Sequence, residues 1–169
     1  MNSILNFNRR LVKQNFTKYS RNIHILNTNG IKEMIYERSD YPLEVCKDII
    51  KDKTISIIGY GPQGRGQALN LRDNGFNVIL GLREGNSMDL ALEDGWNSKT
   101  DIFNTEEACV KGDIIQYLVS DAAQIQLWDQ IKPTLTKGKT LYFSHGLAVT
   151  YPEHTGIVPP DDIDVVLVA

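Results

Sequence analysis

The chain is poor in the side chains that build metal cages, redox pairs and aromatic platforms: its 169 residues include two cysteines, three histidines and two tryptophans. Cys46 and Cys109 lie far apart, with no neighbouring histidine or cationic cluster. That excludes a disulfide framework and a cysteine-based zinc site, and leaves both as small buried hydrophobes in a reducing compartment. No run of about 18 apolar residues occurs, so no segment reads as a membrane-spanning helix. Internal repeats and low-complexity tracts are lacking too. What remains, at 41% hydrophobic residues, suffices for one core and one domain or a little more.

Acidic residues are missing from one place in particular. Residues 1–30 hold Arg9, Arg10, Lys13, Lys18 and Arg21 and no Asp or Glu, which leaves 13 basic against 21 acidic groups in the rest, a net of −8. As a helix, this opening would align Leu5, Val12, Phe16, Tyr19 and Ile23 on one stripe. A basic, acid-free stretch rich in Asn and Ser or Thr, without the apolar centre of a secretory signal, reads as a mitochondrial transit peptide over residues 1–27, and so points to the matrix. The alternative is a disordered basic arm for acidic surfaces. His24 shows no partner. Residues 28–50 form a charged lead-in, in which Pro42 favours an extended entry to a short helix from Leu43 to Ile50.

From residue 51 to 169 the pattern becomes a regular alternation. "TISIIG", "FNVILGL", "DIIQYLV", "TLYFS" and "DVVLVA" read as strands. Helices are expected from Arg65 to Asn74, from a Ser87 cap to a Gly95 stop, after a Thr105 cap, and across "DAAQIQLWDQI" up to Pro133. Helices between strands imply a parallel sheet with right-handed crossovers, and continuous apolar strands imply a sheet covered on both faces. The fold class is therefore α/β, a doubly wound, Rossmann-like sheet. Trp96 and Trp128 read as packing residues.

Gly59, Gly61 and Gly64 follow the first of these strands with G-x-G-x-x-G spacing. In such a turn the first glycine permits the bend, the second lets backbone approach a pyrophosphate, and the third lets helix pack on strand, while the helix N-terminus offers free N–H groups. A structural turn is the other reading. About 20 residues on, where NAD sites carry an acidic residue, the chain has Leu82, Arg83, Glu84 and Ser87. A guanidinium forms a planar, charged fork that suits a 2′-phosphate, so NADP is favoured, although Glu84 could reach a ribose. Two more loops lie at strand carboxyl ends, the ligand edge of such sheets. Leu118, Val119, Ser120 and Asp121 could flank the coenzyme, and His145 is raised to the same edge beside Gly146. A histidine there can be a catalyst or a structural hydrogen-bonder. His154 has no such placement.

Taken together, "IGYGPQGRGQALNLRDNGFNVILGLREG", "ALEDGW", "LVSDAAQ", "KGKTLYFSHG" and "VPPDDIDVVLVA" resemble the amino-terminal domain of ketol-acid reductoisomerases, over about residues 31–169, and "YERSDYPLE" is similar to the lead-in of fungal mitochondrial forms. The resemblance implies NADPH, two magnesium ions, acetohydroxy-acid substrates, homo-oligomeric assembly at full length, and a place in branched-chain amino-acid synthesis, with no nucleic-acid or membrane partner. It implies coenzyme contacts at Gly59, Tyr60, Gly61, Pro62, Gln63 and Gly64, at Arg83 and Ser87, and at Leu118, Val119, Ser120 and Asp121, and an active-site role for His145. Pro62 and Arg65 stand where relatives vary, and "GLAVTYPEHTGI" departs from the commoner "GF" continuation.

Magnesium requires several oxygen ligands, and pairs such as Glu93 with Asp94 or Glu106 with Glu107 read as helix-face or capping charges. No metal site is expected in this sequence. The resemblance implies that the metal ligands come from a helical carboxy-terminal domain, so the sequence reads as a chain that stops before that domain and is expected to be inactive alone. Two alternatives are a non-catalytic NADP-binding module and another NADP-dependent hydroxy-acid dehydrogenase.

Overall fold

The computed structural model describes residues 24–168. The transit-peptide segment lies outside the described residues except for its last four positions, which begin the first strand. The chain divides into two compact units between Ile49 and Ile50.

In the first unit, β1 (His24–Thr28) and β2 (Ile31–Ile35) form an antiparallel hairpin with Thr28 opposite Ile31. Its two-residue turn, Asn29 and Gly30, has φ of 53° and 86°, the left-handed pair that matches the twist of a hairpin. Sequence reasoning assigns no strand here, although Asn-Gly between apolar positions was the available signal. Nor is His24 alone: its Nε2 lies 3.5 Å from Asp40 Oδ1. Helix α1 (Leu43–Ile50) has the expected bounds. Cys46 is half-buried rather than buried, its thiol 3.5 Å from the Tyr41 carbonyl.

The second unit runs β3 (Ile55–Ile58), α2 (Pro62–Asp73), β4 (Val78–Gly81), α3 (Asn86–Glu93), β5 (Ile102–Phe103), α4 (Thr105–Lys111), β6 (Ile114–Tyr117), α5 (Asp121–Ile131), β7 (Thr140–Phe143), α6 (Leu147–Thr150), α7 (Pro152–Thr155) and β8 (Asp164–Leu167). The six strands from β3 onward are parallel, in the order β5-β4-β3-β6-β7-β8. In order of appearance that is 3-2-1-4-5-6, the doubly wound arrangement, and its direction reverses between β3 and β6.

Strand alternation builds the two covering layers. Ile55 and Ile57 join Ala68, Leu80, Ala91 and Trp96 in one cluster, whereas Ile58 joins Ile115, Tyr117, Trp128, Leu141 and Phe143 in another. All four residues of β3 are buried. Each buried Ile or Leu of this kind stabilises the fold by about 1.5–3 kcal/mol. By contrast β8, an edge strand, is exposed along its whole length. Below α4, Lys139 Nζ donates to the carbonyls of Cys109 and Val110, each at 2.9 Å, and to that of Gly112, gathering the unpaired acceptors of that helix end.

Several helix starts differ from expectation. Helix α2 opens at Pro62, three residues before Arg65, because a proline ring pre-sets the first helical φ and lacks only an N–H that would have no partner there. The cap positions are Gly85 and Asn104, not Ser87 and Thr105. Strand β5 was not expected; two residues are too few for periodicity to register.

Candidate functional site

At the reversal point, the carboxyl ends of β3, β4 and β6 open onto a cavity of ≈ 440 Å³. Its lining includes Gly59, Tyr60, Gly61, Arg83, Ser87, Leu118, Val119 and Ser120.

The three glycines differ in what holds them. Gly59 has φ +96°, and a Cβ there would sit 2.7 Å from Val119 Cγ1. At Gly64 a Cβ would lie 2.2 Å from the Gly59 carbonyl oxygen, so helix α2 could not approach its own turn. Gly61 is otherwise: its φ of −73° suits any residue, and a Cβ would meet nothing within 4 Å. No protein contact demands glycine at 61, and the bare backbone faces the cavity. The open space suits an anionic group closing on main-chain amides.

Helix α2 has no side-chain cap, and Arg65 N is the first amide to bond back, to Gly61 O at 2.8 Å. Helix α3 likewise has none; Gly85, with φ 125°, leads into it. Arg83 and Ser87 stand exposed on either side of that turn. Two uncapped helix N-termini, one guanidinium and one hydroxyl thus border one cavity. The set fits an elongated ligand with two separated phosphate groups.

Tyr60 behaves differently from its neighbours. Trp96 Nε1–H donates to the Tyr60 hydroxyl oxygen at 2.7 Å, and the Tyr60 hydroxyl donates to Asp94 Oδ2 at 2.9 Å. Arg65 grips the same carboxylate with two bonds of 2.7 Å, and Arg72 donates to the Asp94 carbonyl at 3.0 Å while lying 4.6 Å over the Trp96 ring. Burial, then the Asp94 carboxylate, pushes the Tyr60 phenol up to about 12. The hydrogen bonds from Arg65 hold the Asp94 carboxyl below its ordinary range. The Tyr60 hydroxyl is therefore committed to bracing the turn and is not free for a ligand. Asp94, read from the sequence as a helix-face or capping charge, is the centre of this brace.

Pro62, Gln63, Gly64, Asp121 and His145 do not line this cavity. His145, at the carboxyl end of β7, is exposed, with Nδ1 3.8 Å from Asp121 Oδ1 and 3.4 Å from the Leu147 amide. Lining residues that sequence reasoning missed are Gly81, Leu82, Asn104, Thr105 and the α5 stripe Ala123, Gln126, Leu127 and Gln130. The 3–4-residue spacing of that stripe was the available signal. Among the described residues no group of three or more His, Cys, Asp or Glu could hold a metal ion.

Strand order and glycine turn define the class, a Rossmann-type nucleotide-binding domain. Residues 49–169 match the family described as acetohydroxy acid isomeroreductase, NADPH-binding domain, and the chain belongs to that family. Among its relatives, a probable mitochondrial ketol-acid reductoisomerase of Schizosaccharomyces pombe is 52% identical over 89% of this chain and 37% of its own length. The mitochondrial ketol-acid reductoisomerase of Saccharomyces cerevisiae is 49% identical over 95% of this chain and 40% of its own. A solved NADH-preferring ketol-acid reductoisomerase from an uncultured archean superposes with TM-score 0.64 at 41% identity, over 73% of this chain and 37% of that one. The chain thus spans about two fifths of the length of these curated relatives.

Proposed function

We propose that residues 50–168 bind NADPH for a ketol-acid reductoisomerase reaction, in which a 2-acetyl-2-hydroxy acid undergoes an alkyl shift and the resulting keto acid is reduced. The observation that carries this reading is Gly61: a glycine that no internal contact requires, at the uncapped start of α2, facing a cavity rimmed by Arg83 and Ser87. When bound, NADPH supplies the hydride.

The roles follow from position. Amides at the start of α2 and the bare backbone of Gly59 and Gly61 hold the pyrophosphate, with Pro62, Gln63 and Gly64 setting the helix that presents them. Arg83 and Ser87 hold the 2′-phosphate through a charged fork and a hydroxyl. Leu118, Val119 and Ser120 wall the coenzyme on the β6 side, with Asp121 opening α5. His145 serves at the reacting end: its Nδ1 is turned to Asp121 and Leu147, which leaves Nε2 to hold or pass a proton. The family resemblance brings two magnesium ions, but the described residues offer them no donor set, so no residue here is assigned to metal and no step is derived through it. That same observation favours a second reading, in which these residues alone bind coenzyme without turnover. Mitochondrial matrix location and homo-oligomeric assembly complete the proposal, supported by the names of the fungal relatives for the organelle.

Calorimetry of the 169-residue chain with NADPH and NADH is the test. NADPH binds more tightly, and Arg83→Ala weakens it by about 10–100-fold, the worth of one or two charge-assisted hydrogen bonds, while leaving NADH within about threefold. Equal affinity for the two coenzymes overturns the 2′-phosphate assignment. Addition of acetolactate, magnesium and NADPH gives no turnover under the second reading; measurable turnover by this chain removes it.

A further inference from the structure

Gln67 lies on α2 one turn beyond Gln63 and was given no role by sequence reasoning. Its amide nitrogen is placed at 3.0 Å from Gln63 Oε1 and 3.1 Å from Ser144 Oγ, a residue 77 positions away in the loop that carries His145. A carboxamide has two N–H donors, and these two acceptors use both. Ser144 Oγ–H is then directed to the Tyr142 hydroxyl at 3.3 Å, so the donors run in one direction, from α2 into the end of β7. The Gln67–Ser144 bond is half-buried, so water competes for it less than for the exposed Gln63–Gln67 bond. It spans the width of β6, because β3, which feeds α2, and β7 are the two neighbours of that strand.

We infer that Gln67 is a positioning residue, which ties the Ser144–His145–Gly146 loop to the helix that opens at the glycine turn and so sets where His145 stands relative to a ligand on that turn. The bridge is well placed for the task. Gln63 belongs to the first turn of α2, where a bound anion engages the amides, and Gln67 is its neighbour one turn on the same face. Seating an anion on the turn fixes Gln63, Gln63 fixes the Gln67 carboxamide, and Gln67 fixes Ser144. His145 is the next residue. The coupling rests on the coenzyme reading above; the bridge itself does not.

Amide hydrogen exchange at residues 145–147, followed by NMR in the full 169-residue chain, separates the two. Without coenzyme, Gln67→Ala and Ser144→Ala each speed exchange there by about fivefold, the worth of one hydrogen bond, with the thermal midpoint nearly unchanged. The double variant is no faster than either single one. Ser144→Thr, which keeps the hydroxyl, restores the slow rate. On adding NADPH, exchange in this loop slows in the natural chain but not in Gln67→Ala, whose NADPH affinity stays within about threefold of the natural chain's, since one net hydrogen bond is small and this one does not touch the ligand. Additive single effects, or unchanged exchange in either alanine variant, overturn the bridge. Equal NADPH-induced slowing with and without Gln67 overturns the coupling, and collapse of NADPH affinity in Gln67→Ala makes it a coenzyme contact instead. Failure of the natural chain to bind NADPH counts against the coenzyme reading and the coupling, and leaves the coenzyme-free result for the bridge standing.

Discussion

Helices α2 and α3 in one covering layer of the sheet, and α4 and α5 in the other, begin in the same way, at the carboxyl end of a parallel strand. Their first turns are finished differently. Asn104 Oδ1 accepts from Glu107 N at 2.9 Å and Ser120 Oγ from Ala123 N at 3.4 Å, whereas Gly61 and Gly85 have no side chain with which to do so. A Ser or Asp cap exceeds a glycine one by a few tenths of a kcal/mol, a gain open to position 61 but not to Gly85, whose φ of 125° would strain a side chain. The difference separates helices closed by the protein from helices that, on the coenzyme reading proposed above, a ligand closes.

The contrast can be broken by steric means first. Gly64→Ala places a methyl against the Gly59 carbonyl, backbone that cannot step aside, and is expected to lower unfolding free energy by about 3 kcal/mol by urea titration, together with loss of NADPH binding. Gly61→Asp sharpens it. The space is open and the φ acceptable, so the carboxylate caps α2 and raises stability by about 0.5–1 kcal/mol, while its charge lowers NADPH affinity by about 30-fold or more. Stability and binding moving together would refute the division. Among the capped helices, Asn104→Ala should cost about 1 kcal/mol and leave coenzyme affinity within about twofold, because Asn104, although it borders the cavity, has its Oδ1 engaged by the Glu107 amide of its own helix.

The smallest effect concerns acid. Asp94 has its folded-state pKa lowered by Arg65, so its contribution is present above the unfolded value near 3.8 and is lost as pH falls through that value toward the folded one. Between pH 6 and pH 3 the thermal midpoint of Asp94→Asn should therefore drop less than that of the natural chain. An equal drop would mean that the Arg65 pairing adds nothing to the brace beneath the uncapped turn.

How far this could be read beforehand depends on the range of the interaction. The glycine spacing, five of the six parallel strands and the Leu43–Ile50 helix are local patterns, visible in windows of a few residues. Caps were misplaced by one or two positions because Asn104 and Thr105 are both good cap residues, and only backbone geometry selects between them. The hairpin was hidden because Asn29 and Gly30 sit at the edge of a stretch whose missing acids pointed to a leader. Asp94 escaped because its partner Arg65 is 29 residues away, and Gln67 because Ser144 is 77 residues away.

The order of amino acids alone therefore determined the alternation of strand and helix, the glycine turn and the family, since each depends on neighbours in the chain and on side chains that permit or forbid a backbone angle. Folding decided which helix ends stay open, that the Tyr60 hydroxyl braces rather than binds, and that Ser144 meets Gln67. Those outcomes depend on groups that come within hydrogen-bonding distance only when a parallel sheet sets the ends of separate strands side by side.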